Sequence, residues 1–272
     1  MNTKELMEIA LKLADLDDMP CDTTITVHSE KVEKILMGVD METQEIMLAK
    51  DLGYDCVVSH HPKADTTKTD FYKVMDFQIE KMVEYGVPIN KAQKVLEDKK
   101  TVVSLANQVD NYDRISSAAR LINMPYMNIH MPADLIGQKT VQDFLDNKFL
   151  YKSKTKLKDI VEALYEIDEY KRALTEPIIR VGNPNSFAGK IVVLFAGGTN
   201  GGADVYKAYF EAGVGTIIAM HAPKDVVDAI KSQGIGNIII SGHMASDSIG
   251  LNKIIKAWEH SGVKVTKMAG II

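Results

Sequence analysis

The hydrophobic pattern opens at helical spacing. Leu6, Ile9, Ala10 and Leu13 recur three and four residues apart, and Asn2 with Glu5 resembles a capping box, so a first helix is expected. A turn at Met19-Pro20 leads into the β-prone run CDTTITVHS, and KILMGVD then reads as a buried strand ending at Asp40. Residues 41–52 return to the helical period with Ile46, Met47 and Ala49 inward. Gly53 ends that helix, and DCVVSHHP follows as a strand stopping at Pro62. A strand–helix–strand unit of about 30 residues has the length of a parallel crossover.

Residues 70–122 carry a largely helical pattern. MNIHMPADLIG interrupts it as a short strand, and the next helix is expected from Thr140 to about Phe149. The charged stretch 151–173 reads as a helical bridge between halves. From there the pattern alternates regularly. KIVVLFAGG is a strand expected to be buried on both faces, and the glycine-rich turn 197–202 leads to helix ADVYKAYFEAG and strand GTIIAMHAP. Helix KDVVDAIKSQG, strand NIIISGH, helix SIGLNKIIKAWEHSG and strand VKVTKM complete the chain. That alternation is the mark of an α/β fold with a mainly parallel sheet.

The two crossovers match each other. Setting KILMGVDMETQEIMLAKDLGYDCVVSHHP beside KIVVLFAGGTNGGADVYKAYFEAGVGTIIAMHAP pairs Gly53 with Gly213, Val57-Val58 with Ile217-Ile218, and His61 with His221. A shared apolar template could produce this without duplication, but a histidine at the same strand end in both favours an internal repeat. The expected division is 1–150 as an N-terminal α/β half, with a helical insertion over about 66–125, and 151–272 as the C-terminal half.

Composition narrows the classes. The 272 residues carry 32 Lys and Arg against 37 Asp and Glu, a net charge of −5, which gives no electrostatic footprint for nucleic acid or an anionic membrane. Cys21 and Cys56 form neither a disulfide framework nor a CxxC pair, in keeping with a reducing compartment. Cys56 lies inside an apolar strand as inert core, and Trp258 reads as helix packing. No apolar run reaches the roughly 18 residues that span a bilayer, and the opening residues lack a signal-peptide pattern. The expectation is a cytoplasmic protein.

Candidate chemistry gathers at strand ends, where α/β folds place ligands. His60-His61-Pro62 closes one apolar strand. Adjacent histidines on an extended segment point to opposite sides, which suits two metals or one metal and a second role, while two polar residues in a turn would look the same. His130 closes the strand-like NIH and Asp134 lies just past its end, where Asp134 could equally cap a turn and His130 be a satisfied half-buried histidine. His243 ends NIIIS, and Asp247 lies one helical turn on, within reach of a common ion, although Ser246 or Asp247 could serve as a helix cap. Together they make a mixed imidazole and carboxylate set suited to a pair of Zn, Mn or Fe ions and a metal-activated water. GGTNGG could cradle a phosphate with backbone N–H groups, or be a tight turn. It lacks the Lys-Ser/Thr of a P-loop.

The run GVDMETQEIMLAKDLGYDCVVSHHP resembles the opening of the NIF-three-like family of dinuclear metal-centre proteins, often described as type 2 GTP cyclohydrolase I. HMPAD is similar to that family's H-x-x-x-D element, and SGHMASD to its closing G-H-x-x-S-E element. The resemblance implies metal ligands at His60, His61, Asp134, His243 and Asp247. It also implies two similar α/β halves facing each other around a metal cleft, in a ring-shaped homo-oligomer, commonly a hexamer. Three features depart from the family pattern: Asp247 stands where Glu is usual, AMHAP replaces a T-G-D or T-G-E segment, and 66–125 is longer and more helical.

Two functions fit. One is a hydrolase with two divalent ions acting on a small molecule, a nucleotide or phosphate ester, with His130 or His221 moving protons. The other is a non-catalytic metal-binding regulatory or scaffold protein. A nucleotide-binding protein using GGTNGG without metal is a third reading.

Overall fold

The computed structural model describes residues 1–150 and 152–272. The opening helix forms as α1 (Thr3–Leu13) with the Asn2 and Glu5 capping box in place. Its buried stripe is Leu6, Met7, Ala10 and Leu11, and Leu13 is exposed, so the inward face is turned slightly from the expected one. After β1 (Thr24–Val27) come β2 (Lys34–Gly38), α2 (Thr43–Asp51) and β3 (Cys56–Ser59), with β2 and β3 parallel. Ile46 and Ala49 face inward as expected, but Met47 is 61% exposed. One residue on from Ile46 is about 100° around the helix, which carries Met47 off the buried face.

The long helical stretch divides into α3 (Asp65–Thr69), a 3-10 turn (Phe71–Asp76), α4 (Phe77–Glu84), α5 (Ile89–Asn107) and α6 (Arg114–Leu121). After the short β4 (Tyr126–Asn128), α7 (Met131–Phe149) begins nine residues before the expected Thr140. Pro132 is no break there, because in a helix's first turn its missing N–H removes no bond. The charged segment forms α8 (Leu157–Leu164) and α9 (Asp168–Arg172); Tyr151, where it was expected to begin, lies outside the described residues. Next come β5 (Ile178–Val181), unforeseen in the sequence, β6 (Lys190–Leu194), α10 (Ala203–Glu211) and β7 (Val214–Ala219). The chain closes with α11 (Lys224–Gln233), β8 (Asn237–Ile240), α12 (His243–His260) and β9 (Lys264–Met268).

Two compact units emerge. The first comprises Met1–Val74, Val103–Ile136 and Asp247–Ile271; the second comprises Met75–Val102, Gly137–Ser246 and Ile272. The first holds a sheet in the order β1-β4-β3-β2-β9, with only β1 antiparallel. Strand β9, expected to complete the second half, pairs with β2 instead. Strand β2 is almost wholly buried and would otherwise present an apolar edge. With β9 outermost, the exposed Lys264 and Lys267 blunt that edge.

The second unit holds β5-β8-β7-β6, again with only its first strand antiparallel. Its β6 is an edge strand, fully buried only at Val192 and Val193, rather than enclosed on both faces. The two sheets repeat one register: Val57 faces Tyr126 as Ile217 faces Ile238. Each antiparallel edge strand also carries a register shift at the same place, between Ile25 and Val27 and between Ile179 and Val181. The chain is therefore a mainly parallel α/β fold of two similar halves.

In the first unit, Leu36, Ile46, Val57, Ala119 and Tyr126 pack into one core between the sheet and helices α2 and α6. Helices α7 and α12 meet with no side chain between them. A Cβ at Gly250 would lie 1.9 Å from the carbonyl oxygen of Ala133. Exchanging a mid-helix glycine for alanine ordinarily stabilises by about 1 kcal/mol. Here the sign should reverse, because a backbone carbonyl cannot give way as a side chain can. We expect Gly250→Ala to destabilise by roughly 1–3 kcal/mol, the usual cost of overpacking. Thermal denaturation should read this as a midpoint several degrees lower, and an unchanged or raised midpoint would contradict the contact.

Candidate metal centre

Strand β3 stops at Ser59, and the next two residues are His60 and His61. Their N–H groups donate to Gly38 O and Val39 O, 2.9 Å each, which pins both to the end of β2. The strand's pleat does not continue through them, so they do not point to opposite sides. Their ring centroids lie 5.0 Å apart, and their Nε2 atoms face one carboxylate: His60 Nε2 is 3.7 Å from Asp247 Oδ1, and His61 Nε2 is 3.7 Å from Asp247 Oδ2. Asp134, one turn into α7, places Oδ1 3.3 Å from the same His60 Nε2. His130, just before α7, has its ring 4.8 Å from that of His60.

The first unit thus gathers four of the five expected ligands, His60, His61, Asp134 and Asp247, with His130 beside them. In the second unit, His243 opens α12 one turn before Asp247, and its ring lies 5.0 Å from that of His221. His221 is exposed at the end of β7.

Three further contacts fix the ring orientations, and two of them come from aspartates outside the expected site residues. His60 Nδ1 lies 3.1 Å from Ile129 O, and a carbonyl can only accept, so Nδ1 carries the proton. His61 Nδ1 lies 2.9 Å from Asp40 Oδ1, and His130 Nδ1 lies 2.6 Å from Asp22 Oδ2. Asp40 and Asp22 follow and precede short strands with no motif to mark them. When such a ring is neutral, its Nε2 carries the lone pair, the arrangement in which an acceptor behind the ring orients a metal-binding histidine.

For His60 the consequence is acute. Its Nε2 and the Asp134 Oδ1 facing it are buried without a hydrogen bond, although 3.3 Å apart. A lone pair aimed at two buried carboxylates is repulsive unless a positive charge lies among them. Burial disfavours charging His60, yet the Asp247 and Asp134 carboxylates more than offset it and hold its pKa well above the ordinary value. Burial likewise opposes charging of His130, and Asp134 and Asp22 raise it. His61 goes the other way, pushed by burial down to about 4 against the pull of Asp40. Asp40, bonded first by His61 and also by Lys63, is held below the usual carboxylate range despite partial burial. His61 is therefore a neutral imidazole donating to an ionised Asp40.

Two sets, His60 with His61 and His130, and His60 with Asp134 and Asp247, bring ligand atoms within 4.8 Å of one another and could hold a metal ion. The GGTNGG turn is occupied differently. Gln78 Nε2 donates to the carbonyls of Gly197 and Thr199, 2.6 Å each, and Asn200 Oδ1 accepts from Gly202 N at the start of α10. These contacts are those of a tight turn clamped by α4.

Comparison with solved structures gives a close match to a NIF3 superfamily protein from Sphaerobacter thermophilus, at 35% identity, covering 99% of this chain and 98% of that one, with a TM-score of 0.96. Reduced HcgD from Methanocaldococcus jannaschii matches at 14% identity over 98% and 97% of the two chains, TM-score 0.57. Protein SA1388 from Staphylococcus aureus matches at 12% over 98% and 96%, TM-score 0.55. The last two share the fold. No family model and no curated protein matches the sequence.

The raised pKa of His60 has a measurable consequence. A metal ion held at its Nε2, which faces Asp134 and Asp247 beside His61 and His130, would compete there with a proton. Zinc affinity of the apoprotein should fall as pH drops below the raised pKa, by up to about tenfold per unit, and uptake should release protons. Calorimetric titration in buffers of different ionisation enthalpy measures both. Affinity independent of pH between 5.5 and 7.5 would contradict a role for His60 as ligand.

Proposed function

The chain belongs to the NIF3 superfamily, and from that membership and its buried histidine–carboxylate cluster we propose that it is a divalent-metal-dependent hydrolase with a dinuclear centre. The observation that carries the reading is His60 Nε2, buried and without a hydrogen bond beside the Asp134 and Asp247 carboxylates. Two ions of the Zn, Fe or Mn kind would be held by His60, His61, Asp134, His243 and Asp247, a donor set that suits such metals. Asp247 would be the shared ligand. Its two oxygens face different histidines, so the shorter arm of Asp still reaches both. His243 joins the set as the residue one helical turn before Asp247.

When bound, such ions supply a Lewis acid and a water acidic enough to act as a nucleophile near neutral pH. The chain's own residues supply orientation and proton handling. Ile129 O and Asp40 hold the rings of His60 and His61, while His130, backed by Asp22, would hold or move a proton at the reacting centre. His221 is the second candidate for that role, beside His243. His61 keeps part of its side chain open to solvent, which supports entry of a small substrate, a nucleotide or phosphate ester.

The protein would act in the cytoplasm, in a ring-shaped homo-oligomer of six chains. Exposed Leu105, Val109 and Tyr112 support an apolar contact of that kind, and light scattering of the purified chain measures its mass. No helix among the described residues is long and apolar enough to cross a membrane.

Asp247→Asn keeps the shape and removes the charge that offsets repulsion between two ions. Even changes to residues that only hydrogen-bond a ligand cost about 10–100-fold in metal affinity, and this substitution should cost at least as much. Elemental analysis should find two ions per wild-type chain and fewer in the variant. A screen of nucleotides and phosphate esters with and without chelator should show chelator-sensitive turnover that falls with occupancy. Unchanged metal content would remove Asp247 as a bridge. Metal loss that lowers the melting temperature, with no turnover on any substrate, would favour the scaffold role.

A further inference from the structure

We infer that Asp22 is a positioning residue for His130, and that the pair presents a further imidazole donor to the metal cluster, outside the five ligands proposed above, which leaves the proton-moving role to His221. The inference rests on the metal-binding reading and deepens it.

Asp22 is fully buried, and His130 is 5% exposed. Oδ2 of Asp22 takes the Nδ1 proton of His130 at 2.6 Å, while Oδ1 accepts from Thr23 Oγ1 at 3.1 Å. The backbone carbonyl of Asp22 accepts from Asn128 Nδ2 at 2.5 Å, which ties the segment before β1 to the end of β4. The carboxylate is thus engaged at both oxygens, and its bond to Nδ1 orients the ring and favours the tautomer with the proton on Nδ1. Phe71 closes a further side, its ring 5.6 Å from that of His130. Nε2 of His130 is left facing the cluster, 3.6 Å from Asp134 Oδ2. The ligand nitrogens of His60, His61 and His130 lie within 4.8 Å of one another. Ring nitrogens around one ion at bonds of about 2.1 Å would stand roughly 3.4 Å apart, so modest side-chain movement closes the set.

The second unit shows that the fold has no need of this pair. Thr24 faces Asn128 as Ile178 faces Ile240, so the counterparts of Asp22 and His130, two residues outward on each strand, are Glu176 and Gly242. Strands β5 and β8 keep the same antiparallel pairing and the same register shift with a glycine where His130 would stand. A buried carboxylate–imidazole pair kept in one copy, and absent from the same frame in the other, belongs to the site rather than to the sheet.

The test is cobalt titration of the full-length apoprotein, read by visible absorption, whose band positions report the ligand field. Wild type is compared with Asp22→Asn, Asp22→Glu and His130→Gln, each with its metal-free melting temperature. We expect Asp22→Asn and His130→Gln to change the band pattern and weaken cobalt binding about 10–100-fold. Asp22→Glu, which keeps the carboxylate, should recover part of both. Should Asp22→Asn fail to fold, His130→Gln and Asp22→Glu carry the comparison. Wild-type spectrum and affinity in His130→Gln would overturn the inference while leaving the metal centre standing. A wild-type chain that takes up no cobalt would overturn the metal reading itself.

Discussion

Two carboxylates and an imidazole lone pair converge on one buried point, and the first unit is organised around keeping them there. Moving an ionised carboxylate out of water costs several kcal/mol even after relaxation, and Asp134 and Asp247 add mutual repulsion to that cost. The arrangement persists only if something positive stands among them, a proton on His60 or a cation in its place. Rigid contacts hold the groups in position. Gly250 lets α12 lie directly on the backbone of α7 at Ala133, next to Asp134 and one turn from Asp247. A helix pair spaced by ordinary side chains would stand farther apart and separate the two carboxylates.

The acceptors behind the histidines follow from the same constraint. Ile129 O, Asp40 and Asp22 each take an Nδ1 proton, so that every Nε2 is committed to the cluster. Ser59, at the end of β3, accepts from Met41 N and donates to Val39 O, holding the loop that carries Asp40 against the strand that carries the histidines. Geometry is set by short hydrogen bonds from three strand ends rather than by any single helix or loop.

The second unit shows the same frame without the charge. By register, Met220 stands at the place of His60, Gly242 at that of His130 and Ser246 at that of Asp134; only His221 keeps the identity of its counterpart His61. Where the first unit buries a carboxylate, the second has a neutral network in which Ser246 meets Tyr170 Oη at 3.0 Å and Ser241 Oγ at 2.9 Å. Hydroxyls can donate as well as accept, so this copy satisfies its buried polar groups among themselves. The fold tolerates either solution, which separates what the sheet requires from what the site requires.

The sequence by itself determined the elements and the addresses of the chemistry. Apolar runs bounded by glycine and proline placed β2, β3, β6, β7 and β8, and the histidines stood out because they end such runs. The repeat was legible for the same reason, since a crossover's apolar period survives when its polar residues change. Tertiary structure decided the rest. Strand β9 joined the first sheet rather than the second, because covering the buried β2 is a matter of neighbours in space. His60 and His61 turned to one carboxylate because β3 ended one residue before them, and a strand's last hydrogen bond is not written in its period. Asp22 and Asp40 became partners of histidines 108 and 21 residues away. A lone aspartate carries no local signal, and its role exists only once folding has brought an imidazole proton to it.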